Sequence, residues 1–237
     1  MLKDLFVIDI ETVPQVAAYD LLTPGWQELW NEKMAKTMPS DTPMAEAYSK
    51  RAGILAEFGK IICISTAIFT ETAKKQLGLR VKSLYGDDEK TLLKEFIGLC
   101  QKMYEHNEYF QFAGHNIREF DIPYICRRLI INGISVPSYM NYQDKKPWEV
   151  KMFDTLSWWK FGDYKNYTSL HLLASVMGIP SSKSDMDGSM VQHVYYKERD
   201  LKRIVEYCQK DVIVTANVIM RFKQLDLLNE EDITVVV

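Results

Sequence analysis

The chain has 237 residues, 47% of them hydrophobic and 12% aromatic, so it can bury one large core and fits the size of a single domain. We expect residues 1–237 to form one domain with an insertion at about residues 14–59. A formal net charge of -3 argues against a protein that grips nucleic acid over a broad basic surface. The four cysteines form no CxxC pair, which indicates free thiols, and no apolar run approaches the ~18 residues of a membrane span. We therefore expect a soluble, cytoplasmic protein with no membrane attachment.

The first part of the chain combines apolar runs with a long polar stretch. Leu5–Thr12 predicts a buried strand. From Pro14 to Gly59, repeated prolines and glycines predict an insertion of short helices and loop. Two strands and then a helix follow, at Ile61–Phe69, Leu79–Tyr85 and residues 87–100.

The second part alternates strands and helices. The predicted elements are a strand at Tyr109–Ala113, a helix ended by Gly133, a strand or helix start at Met152–Leu156, a helix at Leu170–Met177, a loop at Ser181–Gly188 and a helical stripe at Leu201–Ile219 formed by one or two helices. This alternation predicts an α/β fold, with a mixed sheet and helices on both faces.

Two carboxylates stand at the end of the first strand. Side chains alternate along a strand, so Asp9 and Glu11 point to the same face, which Leu5 and Val7 also occupy. Both faces are apolar up to the acids, a pattern typical of a central strand covered on both sides. Two like charges held together near a core are unfavourable unless a proton or a cation neutralises them. A divalent metal is the simplest explanation.

Two later elements carry further acids. Asp121 lies at the start of a helix, where an acid most often caps the helix, and taken alone it is interpreted as a cap. Asp211 lies on the shoulder of the apolar stripe of the last helix, four residues after Tyr207, so the phenol and the carboxylate share one side. An isolated pair of this kind is common and by itself weak evidence.

In combination these residues resemble the three motifs of DEDDy 3′-to-5′ exonucleases. The chain resembles the predicted exonucleases related to the exonuclease domain of family B DNA polymerases, and the resemblance spans nearly its whole length. The segments that carry it are Phe6–Pro14, Gly114–Asn116 with Phe120–Pro123, Lys183–Ser189 and Glu206–Val212. The resemblance implies an RNase H-like fold. Because the sequence ends soon after the last motif helix, we expect a stand-alone nuclease domain.

The implied chemistry is phosphodiester hydrolysis with two divalent ions. Hard oxygen ligands suit Mg²⁺ or Mn²⁺, and the absence of an organised Cys/His set argues against structural zinc. Asp9, Glu11 and Asp211 are assigned to the ion that activates water, and Asp9 with Asp121 to the second. The family places the hydroxyl of Tyr207 against the attacking water, where a phenol with a pKa near 10 orients the water rather than acting as a strong base.

The residues that contact substrate are less sharply indicated. The resemblance implies that Thr12 and Asn116 reach the terminal nucleotide and that Phe120 stacks on a base, although Phe120 equally suits the core. Lys183 either pairs with the phosphate backbone or is a solvated lysine in a turn. Further acids at Asp154, Asp185 and Asp187 are interpreted as helix caps or solvated groups. An aromatic cluster is interpreted mostly as packing and otherwise as a stacking platform for single-stranded bases, and comprises Trp148, Trp158, Trp159, Phe161, Tyr164 and Tyr167.

The leading hypothesis is a metal-dependent exonuclease acting at the 3′ end of nucleic acid, with single-stranded DNA favoured over RNA by resemblance alone. Two alternatives stay open. One is a nucleic-acid-binding module that retains the fold without turnover, and the other is a metal-dependent phosphohydrolase of small nucleotides. The oligomeric state is not indicated by the sequence.

Overall fold

A six-stranded mixed sheet forms the centre of the protein. The computed structural model describes residues 2–39, 41–72, 75–146, 148–163, 165, 167–180 and 186–236. The strands run in the order β5-β4-β1-β2-β3-β6; β2 is antiparallel to both of its neighbours, and the other pairs are parallel. Their bounds are β1 Leu5–Pro14, β2 Gly59–Glu71, β3 Leu77–Tyr85, β4 Gln111–Gly114, β5 Met152–Asp154 and β6 Ile233–Val236.

Helices cover both faces of this sheet, which confirms the predicted architecture. They are α1 Pro24–Ala35, α2 Met44–Arg51, α3 Glu89–His106, α4 Asp121–Ile131, α5 Thr155–Lys160, α6 Leu170–Val176, α7 Val191–His193 and α8 Leu201–Phe222. On one face of β1, Phe6, Ile8 and Ile10 pack with α3 and α4. On the other face, Leu5 and Val7 pack with α8. The alternation expected for a central strand is therefore present.

Local sequence signals set the ends of several helices. The side chain of Asp88 accepts hydrogen bonds from the backbone N–H groups of Lys90 and Thr91, so α3 begins where an N-cap acid predicts it. Beyond α4 and α6, Gly133 and Gly178 adopt φ values of +68° and +67°. Glycine takes this left-handed conformation at low cost and is common after a helix.

The stretch from Pro14 to Gly59 contains α1 and α2, as the prediction of short helices and loop requires. These helices bury a cluster of their own, in which Trp30 packs edge-on against Tyr48 and Phe58. The hydroxyl of Tyr124 donates a hydrogen bond of 2.8 Å to the carbonyl oxygen of Gly53 and so ties this region to α4.

Three features differ from the expectations or extend them. The stripe at residues 201–219 forms the single continuous helix α8 rather than two helices. Residues 152–156 are both a strand and a helix start, because β5 passes directly into α5. The short strand β6 was not predicted: its four residues carry too little periodicity to separate a strand from a loop, and it is positioned by pairing beside β3.

Across the ranges that the structure describes, no helix combines the length and hydropathy needed to cross a membrane.

Candidate active site

β1 carries the first two acids to the edge of a buried region. Asp9 and Glu11 continue the face that Leu5 and Val7 present to α8. A β-bulge follows Glu11, where the pairing with β2 shifts register before Thr12. Glu11 is only 7% exposed, and Asp9 is partly buried. The strand therefore holds two carboxylates side by side with little access to water.

Asp121 does not cap α4, so the capping interpretation is wrong. It is the first residue of the helix, and the residue at the N-cap position, Phe120, makes no capping hydrogen bond. The Oδ1 atom of Asp121 instead accepts a hydrogen bond of 3.2 Å from the backbone N–H of Ile10. β4 ends at Gly114, which leaves this part of β1 without a strand partner on that side. The carboxylate of Asp121 therefore accepts a backbone hydrogen bond that a strand partner would otherwise accept, and it lies beside the acids of β1.

The segment between β4 and α4 is held in a tight turn. A β-carbon at Gly114 would lie 2.9 Å from the carbonyl oxygen of Ile8, so glycine is required where β4 passes this close to β1. Asn116 adopts a φ of +63°, and its backbone N–H donates to the carboxylate of Asp154, as does that of Arg118. Asp154 also caps α5, which agrees with its interpretation as a cap. This buried acid fixes the turn that precedes Asp121.

α8 supplies the third part of the cluster. Tyr207 and Asp211 lie one turn apart, and the phenol hydrogen-bonds the carboxylate. Cys208 points toward β1, and its thiol donates to the Oδ2 atom of Asp9 at 3.3 Å. The periodicity of α8 predicted the first pair. The proximity of Cys208 to Asp9 was missed, because no spacing along the chain signals a contact between residues so far apart.

Burial and mutual repulsion dominate the electrostatics of Asp9, Glu11 and Asp121. Burial raises the pKa of Asp9 well above its ordinary value, and the carboxylates of Asp211 and Asp121 raise it further. The pKa of Glu11 is raised by burial and then by Asp9 and Asp211. Burial raises the pKa of Asp121 to about 7. Each acid therefore lies close enough to the others for their charges to interact.

The donor set fits hard divalent cations. In the described part of the chain, no lysine or arginine forms an ion pair with Asp9, Glu11 or Asp121. The carboxylate of Glu11 receives no hydrogen bond at all from the described residues, although it is nine-tenths buried. Buried carboxylates left in this state need positive charge from outside the chain. Mg²⁺ and Mn²⁺ bind carboxylate oxygens of this kind.

A cleft of about 430 Å³ opens beside the acids. Among the predicted substrate-contacting residues, Asn116 and Phe120 line it, whereas Thr12 is absent from its walls and lies by the hydroxyl of Tyr124. Lys183 falls outside the described residues. The cleft is lined by Asp9, Ile10, Ile54, His115, Asn116, Phe120, Asp121, Tyr167, Ser169, Leu170, His171, Gly188, Tyr207 and Asp211.

Two histidines in this lining, His115 and His171, had no predicted role, and Tyr167 was predicted only as a member of the aromatic cluster. His115 is buried in the wall, where its ring nitrogens contact the hydroxyl of Thr155 and the carbonyl oxygen of Thr168, and burial lowers its pKa. Tyr167 and His171 project into the cleft from the segment before α6 and from its first turn. Their placement depends on how that segment folds back over the sheet, for which the sequence carries no periodic signal.

The aromatic cluster is exposed more than packing requires. Trp158 stacks on Phe153 with ring centroids 4.4 Å apart, as packing predicts. The side chains of Trp148, Phe161 and Tyr167 are 77%, 89% and 67% exposed. The interpretation of the cluster as mostly core is therefore wrong for these three. Tyr164 and Asp185 lie outside the described residues, and Asp187 caps a short turn as expected.

Two comparisons with known proteins bear on this site. The chain shares its fold with a family B DNA polymerase from the hyperthermophilic archaeon Pyrobaculum calidifontis, at 14% identity and a TM-score of 0.53. The match covers 93% of this chain and 24% of the polymerase, so the chain spans about a quarter of the polymerase's length. No curated protein matches the chain.

A family model described as a predicted 3′–5′ exonuclease related to the exonuclease domain of PolB matches residues 54–234. The matched residues include Asp121, Tyr207 and Asp211, whereas Asp9 and Glu11 precede them. The match covers more than half of the chain. The chain therefore belongs to the family of predicted 3′–5′ exonucleases related to the exonuclease domain of PolB.

Proposed function

We propose that this protein is a metal-dependent 3′-to-5′ exonuclease that hydrolyses phosphodiester bonds at the 3′ end of single-stranded DNA. The observation that carries the proposal is the convergence of four carboxylates from β1, α4 and α8, three of which line one cleft. Burial and mutual repulsion raise the pKa values of Asp9, Glu11 and Asp121. Membership in a family of predicted exonucleases supports the same reaction.

The four acids would hold two divalent ions, Mg²⁺ or Mn²⁺. Asp9, Glu11 and Asp211 are the proposed ligands of one ion, and Asp9 with Asp121 of the other. When bound, two such ions neutralise charge on the phosphate and acidify the attacking water. The hydrogen bond from the N–H of Ile10 fixes one oxygen of Asp121, which leaves its other oxygen for a cation.

Tyr207 has the properties of an orienting group. Burial raises the pKa of its phenol, and the negative charge of Asp211 raises it further, so the hydroxyl keeps its proton at neutral pH. A protonated phenol is not a strong base, and because its proton is shared with Asp211, its oxygen remains to accept a hydrogen bond from water. We assign Tyr207 to positioning the water that attacks phosphorus. The bond from phosphorus to the 3′ oxygen then breaks, which yields a nucleoside 5′-monophosphate and a strand with a new 3′ hydroxyl.

The cleft suits an unpaired terminal nucleotide. Asn116 and Phe120 line it close to Asp121, and the ring of Tyr167 is 67% exposed at its rim. Aromatic rings stack on splayed bases with about 1–3 kcal/mol per base, and this favours single strands over duplexes. We retain Thr12 and Lys183 as proposed contacts with the strand on the resemblance alone.

One assay separates the proposal from its alternatives. The purified protein is incubated with Mg²⁺ or Mn²⁺ and a 5′-labelled single-stranded DNA, with an RNA of the same sequence in parallel. A descending ladder of labelled products, faster on DNA, is the expected result. A retarded but intact strand would indicate a binding module, and release of phosphate from nucleotides without any ladder would indicate a small-molecule phosphohydrolase.

Substitutions then test the assigned residues. Asp9→Ala and Asp211→Ala should each reduce the ladder to background, whereas Asp88→Ala, which removes an acid that only caps α3, should leave the rate unchanged. Tyr207→Phe should lower turnover by about a hundredfold while metal binding, measured by calorimetry, is retained. A folded Asp9→Ala variant with undiminished activity would refute the metal assignment.

A further inference from the structure

The thiol of Cys208 lies beside the acids and is a poor ligand for magnesium. The thiol of Cys208 lies 3.3 Å from the Oδ2 atom of Asp9 and 3.5 Å from its backbone oxygen. Ligand atoms of Asp9, Glu11 and Cys208 all lie within 4.8 Å of one another. Sulfur is a soft ligand that prefers zinc and similar ions, whereas Mg²⁺ takes oxygen. The same pocket therefore offers two kinds of donor.

We propose that Asp9, Glu11 and Cys208 form a binding site for a thiophilic divalent cation of the zinc type, which competes with Mg²⁺ or Mn²⁺ for the shared carboxylates. On binding, the cation takes the sulfur as a thiolate, and the thiol proton passes to solvent. The cysteine is therefore a ligand in this state and a hydrogen-bond donor to Asp9 in the cation-free protein.

The distances suit a single ion. Zinc binds sulfur at about 2.3 Å and carboxylate oxygen at about 2.0–2.2 Å in tetrahedral sites, so neighbouring ligand atoms lie roughly 3.5 Å apart. The separation of Cys208 from Asp9 is already in this range, and the remaining pairs require only small side-chain adjustments. Three protein ligands leave a fourth position open to water or phosphate.

Glu11 independently indicates a missing cation. Its side chain is 7% exposed, and no described residue donates a hydrogen bond to its carboxylate. Its oxygen lies within 4.8 Å of both Asp9 and the sulfur of Cys208. A buried carboxylate without a donor is costly, and a cation placed between these three groups removes that cost.

The proposed site has a consequence for regulation. A zinc-type ion on Asp9 and Glu11 occupies ligands that the hydrolytic reaction requires, so it should inhibit the enzyme when zinc is available. This inhibitory role rests on the proposed exonuclease function, whereas binding of the ion through sulfur does not.

Cobalt tests the site without any assay of activity. Co²⁺ replaces zinc in such sites, and a bond to thiolate gives an ultraviolet charge-transfer band. Titration of the full chain with Co²⁺ should produce this band, release protons into weakly buffered solution, and lose the band when Zn²⁺ is added. Cys208→Ser should remove the band and weaken Zn²⁺ binding by about tenfold or more, with little change in Mn²⁺ affinity.

Controls separate this inference from the function. Cys126→Ser changes a cysteine that lines a different pocket, beside α4, and should keep the band. Glu11→Gln tests the site if Cys208→Ser does not fold, and should weaken Zn²⁺ binding in the same way. No band in the wild type, or a band that persists in Cys208→Ser, overturns the proposal even if Mn²⁺-dependent hydrolysis is intact. A band in a protein without nuclease activity would support the site and refute the function.

Discussion

Two glutamates in this protein are equally buried and have opposite surroundings. Glu89, at the start of α3, and Glu11 are each 7% exposed. Glu89 accepts hydrogen bonds from the guanidinium of Arg128, the amide of Asn132 and the backbone N–H of Ile61. Glu11 has no such donor among the described residues, and its nearest charged neighbours are acids.

The difference separates a structural charge, Glu89, from a charge with a proposed function, Glu11. The chain neutralises Glu89 with its own Arg128, so the charge of Glu89 is balanced as soon as the protein folds. It leaves Glu11 and Asp9 to be neutralised by a proton or by a cation from solution. Burial alone therefore does not identify a functional acid, and the identity of the groups around it does.

The largest effect on stability is expected when the buried ion pair between Glu89 and Arg128 is broken. Glu89→Gln leaves the guanidinium of Arg128 buried without its partner charge, and it should lower the free energy of unfolding by about 3–5 kcal/mol. Urea denaturation monitored by circular dichroism measures this. A loss below 1 kcal/mol would mean that water reaches Arg128 and that the two glutamates differ less than their contacts indicate.

The acid cluster should make the cation-free protein less stable as pH rises. The pKa of Asp121 is about 7 in the folded chain and near 3.8 when unfolded, so between these values the folded state holds more protons. The stabilisation from Asp121 is then fully present below about pH 4 and lost as pH rises through 7, and it amounts to about 4 kcal/mol for this residue alone.

Thermal unfolding in EDTA between pH 4 and 8 measures this decline. Asp121→Asn should reduce the decline of stability with pH. Asp88→Asn changes an exposed helix cap and should leave that decline unchanged. Stability that rises over this range would contradict the expected protonation of the cluster.

Added metal should restore the stability that the metal-free protein loses as pH rises. At a free Mn²⁺ concentration 100 times its dissociation constant, the folded state gains about 2.7 kcal/mol. The gain should be visible as a higher Tm at pH 7 and should disappear in Asp9→Ala. Equal stabilisation of wild type and Asp9→Ala would place the ion elsewhere in the molecule.

The smallest effect concerns Glu11 itself. Glu11→Gln removes one of several repelling charges, and it should stabilise the metal-free protein at pH 7 by about 1–2 kcal/mol while weakening Mn²⁺ binding. Chemical denaturation in EDTA measures this change, which is opposite in sign to that of Glu89→Gln. A destabilised Glu11→Gln variant would show that its carboxylate is compensated within the chain.

The sequence predicted the elements that carry the site better than the contacts between them. Alternation along β1 placed Asp9 and Glu11 on one face, and helical spacing paired Tyr207 with Asp211, because both are local repeats. Taken alone, Asp121 was interpreted as a cap, because an acid at a helix start has the same signature whether it caps or not, and only the resemblance assigned it to a metal. Its bond to Ile10 depends on where β4 ends, which is a property of the assembled sheet.

Other features depended on tertiary context as well. Cys208 was predicted only as one of four free thiols, and its position beside Asp9 follows from the packing of α8 on β1. The aromatic cluster that includes Trp148 and Phe161 was interpreted mostly as packing, since aromatic content alone does not distinguish buried rings from exposed ones. Short β6 lacked a periodic signal, and pairing with β3 defines it.

The packing of α8 against β1 also determines when the acids can meet. Asp9 and Asp211 stand near opposite ends of the sequence, and both are needed to complete the cluster. Contacts between such distant residues form late, because the intervening chain must first be ordered. A chain still emerging from the ribosome has β1 but lacks α8, so it cannot yet assemble the full set of proposed ligands. The proposed nuclease activity is thus delayed until synthesis has passed α8.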